Sequence, residues 1–519
     1  MNSGSDRNPR KSGPSVGMRP QGYGRLWWLP AALVVLTGFP LHAAEPADCS
    51  DPGNLCAGDP CVIGSSLIAG ACSVDFGPRT VVIGGRLTLA TGATLSLTAD
   101  RIEVQGSIRA SGQSGNLPST VSLTASGDII VSGPISCSTR TDYPVPSGLL
   151  LALMAGGSIE VHAPLVNRAS TVLSASSMTL LDAGADIVVD APIQGAGSPG
   201  EMVLEAGGNI ELLKPIRGKG DSFGGYDIRL SAGGNIEVRR PIRTTGDGSE
   251  ITLTAGGNVT MDSRAALGAR TDDRPLSHGV GPHLTVEAGG TIVASRLRAV
   301  NSGESFSAVT LRGDEGVTVE KPMRVAGWSP QVTIASDLGS VFVRARVDAR
   351  PSCASIILTC GVGTVIITAA GAIGVEDSIL AGPPGGGDVS LLSTAGPVDM
   401  ERNITARVIR LEGADVAVGP DAKLSGQFFH LRSSSGDIDL DGQFIFLSST
   451  EAVAAGNLSA TGRFQCRPQG SACCPCCLSL RAGGTVDTSA ATINTPLEPD
   501  CPGSPCGAFL DGYAGFLDP

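Results

Sequence analysis

Residues 202–216 have the sequence MVLEAGGNIELLKPI and residues 228–242 have the sequence IRLSAGGNIEVRRPI, so one pattern recurs at an offset of 26 residues. The apolar residue after the glycine turn recurs along the chain with spacings of 23 to 33 residues. It lies at Ile129, Ile159, Ile187, Ile210, Ile236, Val259, Ile292, Val317, Val341, Ile373 and Val398. A repeat of this length with variable insertions predicts a solenoid, because each coil returns to the same place while its outer loops differ in length.

Apolar and polar residues alternate within each repeat. Ile228, Leu230 and Ala232 are apolar, whereas Arg229 and Ser231 between them are polar. A period of two residues predicts strands. The glycine pair that follows allows the backbone to bend sharply into the next strand.

A proline five residues after the apolar anchor indicates a second bend in each coil. It recurs at Pro134, Pro164, Pro192, Pro215, Pro241 and Pro322. Proline donates no amide hydrogen to a neighbouring strand, so it belongs at a bend or at the first residue of a strand. Two bends and three strands per coil predict an all-β fold with three parallel sheets, and parallel crossovers are nearly always right-handed. We therefore predict a single right-handed parallel β-helix of about 16 coils over residues 79–490.

The composition agrees with a narrow core of small aliphatic side chains. The chain has 519 residues, of which 41% are hydrophobic but only 4% are aromatic. Asn209, Asn235 and Asn258 occupy one turn position in three consecutive repeats. We expect these side chains to form a structural hydrogen-bonded ladder along the stack.

The N-terminus predicts export of the protein. Basic residues precede an apolar run from Leu26 to Leu41, and this run is shorter than the ~20 residues needed to cross a bilayer. We predict a signal peptide at 1–44 and a secreted or cell-surface bacterial protein with no integral membrane segment. Removal of residues 1–44 takes away five basic residues and one acidic residue, which moves the net charge from −12 to −16. Such a negative chain is not expected to bind nucleic acid.

Cysteines divide the exported part into segments. We predict a cysteine-rich cap at 45–78, the β-helix repeats at 79–462, and a cysteine-rich C-terminal segment at 463–519 that includes a last coil. The candidates for disulfides in an oxidising compartment are Cys49, Cys56, Cys61, Cys72, Cys353, Cys360, Cys473, Cys474, Cys476, Cys477, Cys501 and Cys506. The two overlapping C-x-x-C spacings in residues 473–477 leave zinc as an alternative to disulfides there, although we predict neither a metal nor a cofactor.

The units LEAGGNI at 204–210, LSAGGNI at 230–236 and LTAGGNV at 253–259 resemble the repeats of filamentous haemagglutinin-like secreted bacterial adhesins. The resemblance covers most of residues 120–490. It implies an extracellular β-helix scaffold with an adhesin-type role.

A basic stripe is the candidate binding site. Basic residues recur four and seven positions after the anchor, and equivalent positions of adjacent coils lie ~4.8 Å apart. The stripe comprises Lys214, Arg217, Arg240, Arg243, Arg296, Lys321 and Arg324. It matches a linear polyanion such as an acidic glycan or another cell-envelope component. The alternative is a solvated face whose charges are balanced by neighbouring glutamates.

Other motifs offer weaker candidates for chemistry. His278 and His283 are the nearest thing to a histidine pair, and Asp437, Asp439 and Asp441 have the spacing of a calcium loop. We interpret the aspartates as the outer face of an ordinary strand. We predict no catalytic residues, and the alternative function is a β-helix polysaccharide lyase or glycoside hydrolase.

Overall fold

The structure is a computed structural model that describes residues 49–113, 119–140, 148–169, 175–221, 224–271, 281–301, 305–352, 361–383, 386–467, 477–494 and 509–512. The predicted signal peptide at 1–44 lies outside these residues.

The described residues form a parallel β-helix, in which every coil contributes to three rows of parallel strands that we call sheets 1, 2 and 3. Sheet 1 has 18 strands, whereas sheets 2 and 3 are joined by two long strands into one 34-stranded sheet, so the predicted three separate sheets are two. Sheet 1 comprises Cys61–Ile63, Thr80–Ile83, Arg101–Val104, Ile129–Val131, Ile159–Val161, Ile187–Val189, Ile210–Leu212, Ile236–Val238, Val259–Met261, Thr291–Ala294, Gly316–Val319, Ser340–Val343, Ile373–Val375, Val398–Met400, Val416–Val418, Ile438–Leu440, Leu458–Ala460 and Val486–Asp487. Eighteen coils are therefore present in the described part of the chain, and we number them from 1 to 18 in chain order.

Sheet 2 follows sheet 1 in each coil. Its separate strands are Ser66–Ile68, Arg86–Leu89, Ser107–Gln113, Ile135–Arg140, Leu165–Arg168, Ile193–Ala196, Ile216–Lys219, Ile242–Thr245, Ala266–Arg270, Arg296–Val300, Met323–Ala326, Val347–Asp348, Ile379–Leu380, Ile404–Thr405, Arg463–Cys466 and Thr492–Asn494. Each recurrent proline comes immediately before one of these strands, as predicted for a bend.

Sheet 3 closes each coil. Its separate strands are Ala71–Asp75, Thr94–Ala99, Ser119–Ala125, Leu149–Ala155, Ser177–Ala183, Gly200–Ala206, Tyr226–Ala232, Glu250–Ala255, His283–Ala288, Ala308–Gly313, Gln331–Ser336, Thr364–Ala369, Asp388–Ser393, Val408–Gly413, Cys477–Ala482 and Phe509–Gly512. Two long strands, Lys423–Ser433 and Gln443–Ala454, continue from sheet 2 into sheet 3 without a break. A single short helix, Pro52–Leu55, precedes coil 1 among the described residues.

The register between coils confirms the predicted repeat. Ile210 pairs with Ile236 and Ile236 pairs with Val259, and the same anchor position pairs through all eleven predicted repeats. Coil 1 lies within the segment predicted as the cysteine-rich cap. The β-helix therefore starts before residue 79, and its eighteen coils in the described residues exceed the predicted 16.

Inward-facing side chains fill the core with stacked aliphatic residues, and the asparagines join the coils at the turn outside it. The backbone N–H of Asn235 donates to Oδ1 of Asn209 at 2.8 Å, and that of Asn258 donates to Oδ1 of Asn235 at 2.8 Å. The ladder begins at Asp186, which accepts from Asn209, and ends at Thr291, which donates to Asn258. Each side chain thus satisfies a backbone donor of the following coil, so the structural interpretation of these asparagines is confirmed.

One buried tyrosine replaces the usual small side chain in coil 7. Tyr226 is fully buried, and its hydroxyl donates to the carbonyl oxygen of Glu201 at 3.3 Å. Three glycines surround its ring, and a Cβ added to Gly195, Gly200 or Gly218 would lie 1.8–2.2 Å from a Tyr226 atom. The ring and the three glycines therefore depend on one another.

The disulfides near the N-terminus hold the first coil. Cys49 is bonded to Cys72, and Cys56 is bonded to Cys61. Cys466 is also disulfide-bonded. The candidates Cys353, Cys360, Cys473, Cys474, Cys476, Cys501 and Cys506 lie outside the described residues, as does the side chain of Cys477.

Candidate functional site

The outer face of sheet 2 is strongly basic in coils 7 to 11. The strands from Ile216–Lys219 to Met323–Ala326 carry seven arginines and lysines and no carboxylate. These basic residues are Arg217, Lys219, Arg243, Arg270, Arg296, Arg298 and Arg324. The segregation follows from alternation, because every second residue of these strands is a buried aliphatic residue, alanine, glycine or threonine and the charged residues take the remaining outward positions.

Four of these arginines form one row along the stack, which we call the arginine row. Arg217 pairs in register with Arg243, and Arg298 pairs with Arg324. Gly268 of coil 9 lies between the two pairs. The four guanidinium groups are thus distributed over five successive coils, on the order of 19 Å from first to last.

The arginine row has no internal counter-charge. No carboxylate of the described residues forms an ion pair with Arg217, Arg243, Arg298 or Arg324. Two unit charges at ~4.8 Å repel by roughly 1 kcal/mol in water, and salt screens this repulsion. A bound anion would relieve the repulsion as well as forming new contacts.

Sheet 1 shows the opposite arrangement. Glu211 and Glu237 pair in register on its outer face. Arg239 bonds both of them, with its Nη2 2.8 Å from a Glu211 oxygen and its Nε 2.7 Å from a Glu237 oxygen. Arg239 beside sheet 1 is therefore neutralised locally, unlike the arginine row on sheet 2.

The strand register divides the residues of the predicted stripe between two positions in the coil. Arg217, Arg243 and Arg324 belong to the arginine row, whereas Lys214, Arg240 and Lys321 lie at the bend before sheet 2. Lys214 forms an ion pair with Asp190 at 3.6 Å.

Arg296 departs from the position expected from its spacing. It pairs with Ala266, one position further along the coil than Arg240 or Lys321. The reason is a bend that is one residue shorter in coil 10, where Leu297 follows the anchor by five residues instead of six. Arg298, which is missing from the predicted stripe, takes the row position instead.

A groove continues from the end of the arginine row. It has a volume of about 520 Å³, and Arg324, Arg350, Pro351, Ser352 and Pro383 are among its lining residues. Its opening lies where sheet 2 of coils 11 to 14 meets the bends that follow it. The position in register with Arg324 in coil 12 is Asp348, so the arginine row ends at coil 11 and a carboxylate follows it in the groove.

Asp348 is the single carboxylate among the described residues that line this groove. Its oxygens accept from Nε and Nη2 of Arg350, both at 2.8 Å, and from Arg346 at 3.3 Å. Burial opposes ionisation of Asp348, but the hydrogen bonds and positive charges of Arg350 and Arg346 outweigh it, so the pKa is lowered. Asp348 therefore stays ionised and positions Arg350 in the groove wall.

The weaker candidates do not assemble into a site within the described residues. Asp439 lies on the outer face of the strand Ile438–Leu440 and pairs with Ala417 and Ser459, so the strand interpretation is confirmed for this residue. Asp437 and Asp441 lie just before and just after the strand, so the interpretation is wrong for these two. His283 starts a strand of sheet 3, whereas His278 lies outside the described residues. No cluster of three or more metal-ligating side chains is found in the described ranges.

We compared the chain with protein-family models, with curated proteins and with solved structures, and none of the three comparisons gave a match. Among the described residues, no helix is long and apolar enough to cross a membrane.

Proposed function

We propose that the protein is an exported, non-catalytic β-helix scaffold that binds an acidic glycan along sheet 2. The observation that carries the proposal is the arginine row, four exposed arginines in register without a carboxylate partner in the described chain. Arginine binds carboxylate and sulfate groups through two parallel hydrogen bonds. The resemblance of the repeats to secreted adhesins supports the same role.

Replacing the four arginines of the row by serine should lower the affinity for polygalacturonate about a hundredfold at low salt. Each exposed arginine–anion contact contributes ~0.2–1 kcal/mol, so four lost contacts amount to a few kcal/mol. The measurement is the salt concentration that elutes each protein from an immobilised polygalacturonate column. The expected result is elution at a much lower salt concentration than for the parent chain.

The matched control for that experiment changes four ion-paired arginines on other parts of the surface. Arg229, Arg239, Arg312 and Arg344 bond carboxylates at 2.8, 2.7, 2.6 and 3.4 Å, respectively. Their replacement by serine alters the net charge by the same amount. Equal losses of retention in the two quadruple variants, with both folded by circular dichroism, would refute a binding site on sheet 2.

Filling the gap in the row should strengthen binding. A Cβ at Gly268 would meet only the Arg243 side chain, at 3.8 Å, so Gly268→Arg places a fifth guanidinium in the row without steric cost. We expect a roughly threefold gain in polygalacturonate affinity and a steeper dependence on salt, because one more exposed ionic contact forms. Titration by calorimetry at two salt concentrations measures the affinity and its dependence on salt. Gly268→Ser is the uncharged comparison. An affinity of Gly268→Arg no higher than that of Gly268→Ser would count against the row as the binding surface.

The lining of the groove supports binding over glycoside hydrolysis there. A glycosidase uses two carboxyl groups, one of them protonated to act as an acid. The groove has one carboxylate among its described residues, and its lowered pKa keeps it ionised. We therefore retain the scaffold in preference to a β-helix hydrolase.

A further inference from the structure

The arginine row has a defined length. At one end, Arg217 pairs in register with Gln194 of coil 6, an uncharged side chain whose Oε1 accepts a hydrogen bond from Arg168. At the other end, Arg324 pairs with Asp348 of coil 12, whose ionised carboxylate repels a bound anion. An anionic chain is therefore favoured over coils 7 to 11 and not beyond them.

The row presents its charges at unequal steps along the stack. Arg217 and Arg243 lie on adjacent coils, and so do Arg298 and Arg324. Gly268 separates the two pairs, so the step between them is two coils. At ~4.8 Å per coil, the three steps are about 5, 10 and 5 Å. The row thus has arginines on coils 7, 8, 10 and 11.

The sheet beside the row leaves room for a chain that runs parallel to it. The next outward position of the same strands is occupied, from coil 7 to coil 11, by Lys219, Thr245, Arg270, Val300 and Ala326. None of these residues is a carboxylate, and three of them are uncharged and no larger than valine. A linear glycan along the row would therefore meet no negative charge on that side.

We propose that the row selects glycans that have an acidic group on every sugar, and that such a chain lies parallel to the stack with one sugar per coil. An extended pyranose residue is about as long as one coil is high, so successive carboxylates come within reach of successive guanidinium groups. The long side chain of arginine lets each guanidinium bond a carboxylate at either edge of the chain. The inference rests on the proposed function and names the class of glycan, a homopolymer of uronic acid.

The number of contacts separates this class from glycans that alternate acidic and neutral sugars. A uronic acid homopolymer over coils 7 to 11 has an acidic sugar at each of the four arginines. An alternating chain has an acidic sugar on every second coil, so it meets either coils 7, 9 and 11 or coils 8 and 10. Because coil 9 has Gly268 at the row position, each of these placements contacts two arginines. We expect the alternating chain to bind about tenfold more weakly.

The test measures the affinity of the full chain for galacturonate oligosaccharides of two to six sugars, by calorimetry at low salt. A disaccharide and a trisaccharide should bind with similar affinity, because any three successive coils of the row contain at most two arginines. Five sugars reach all four arginines, so the affinity should rise about tenfold between three and five sugars. A sixth sugar should add nothing, since it lies beyond the row.

A matched pair of variants tests the gap in the row. With Gly268→Arg, a trisaccharide contacts three arginines, so it should bind about threefold more tightly than to the uncharged control Gly268→Ser. The disaccharide should gain less, because it contacts two arginines in either variant. A hyaluronate hexasaccharide, which is acidic at every second sugar, should bind the parent about tenfold more weakly than the galacturonate hexasaccharide.

The outcomes separate this alignment from the proposed function. An affinity that rises evenly from two to six sugars, while the protein is still retained on polygalacturonate, overturns the parallel alignment and leaves the arginine row standing. Equal affinities for the two hexasaccharides overturn the selection of a homopolymer. Failure to bind any of the oligosaccharides together with loss of retention on polygalacturonate overturns the glycan-binding proposal itself.

Discussion

Replacing Tyr226 by alanine is expected to lower the free energy of unfolding by about 3–5 kcal/mol, the usual cost of removing a buried aromatic ring. The ring is fully buried and occupies space that three glycines of two sheets leave open. With alanine at position 226, the three surrounding glycines have no side chains that could fill the space of the ring. A cavity spanning coils 6 and 7 therefore remains. Urea unfolding followed by circular dichroism measures the loss.

Adding a side chain next to the ring should lower the free energy of unfolding by a similar amount. A Cβ at Gly218 would lie 2.2 Å from the Tyr226 ring, so Gly218→Ala forces the ring or the strand to move. The double variant Gly218→Ala with Tyr226→Leu should recover part of the stability, because the smaller side chain leaves room for the new methyl group. Gly268→Ala is the control, since its Cβ would make only an ordinary van der Waals contact with the Arg243 side chain at 3.8 Å. If Gly218→Ala proved as stable as Gly268→Ala, the packing described around Tyr226 would be wrong.

Alkaline conditions should destabilise the protein through a buried thiol. Burial raises the pKa of Cys137 from 9.0 to about 12. The unfolded chain therefore loses this proton near pH 9, whereas the folded chain keeps it until about pH 12. The stability contribution is fully present below pH 9 and is lost as pH rises toward 12, by on the order of 4 kcal/mol over three pH units.

The pH dependence of urea unfolding between pH 8 and pH 11 measures this effect. Cys137→Ala should show a shallower decline than the parent, whatever its stability at pH 8. Tyr226, whose pKa burial also raises to about 12 from 10.0, accounts for a further decline above pH 10. Tyr226→Phe isolates that part. Identical pH profiles for the parent and Cys137→Ala would contradict a buried, neutral thiol, as would rapid alkylation of Cys137 in the native protein at pH 8.

The fold was predictable because each repeat contains sequence features that the backbone of a coil requires at its strands and bends. Anchors such as Ile210 and Ile236 pair as their spacing predicts, since alternation, glycine turns and prolines all define the same coil. Coil 1 escaped prediction because Cys61–Ile63 lacks the preceding glycine pair and the following proline of the later repeats, and because its cysteines indicated a cap.

The candidate site was predictable only in part. Counting from the sheet 1 anchor located Arg217 and Arg243 but not Arg298, because the shorter bend of coil 10 shifts the count by one. Counting outward from the buried Leu297 would have found Arg298. The groove depends on which bends lie side by side, and the spacing of Arg324, Arg350 and Pro383 in the sequence does not predict that they line one groove.

The disulfide between Cys49 and Cys72 has a mechanical consequence. Each coil pairs only with the coils directly above and below it, so tension along the stack would detach coils one at a time. A freed coil of 23 residues would add roughly 80 Å of contour length. A pull applied at the N-terminus, however, passes through the bond from Cys49 directly to Cys72 in sheet 3 of coil 1. Residues 50–71 then lie outside the load path, so this end of the β-helix resists unravelling.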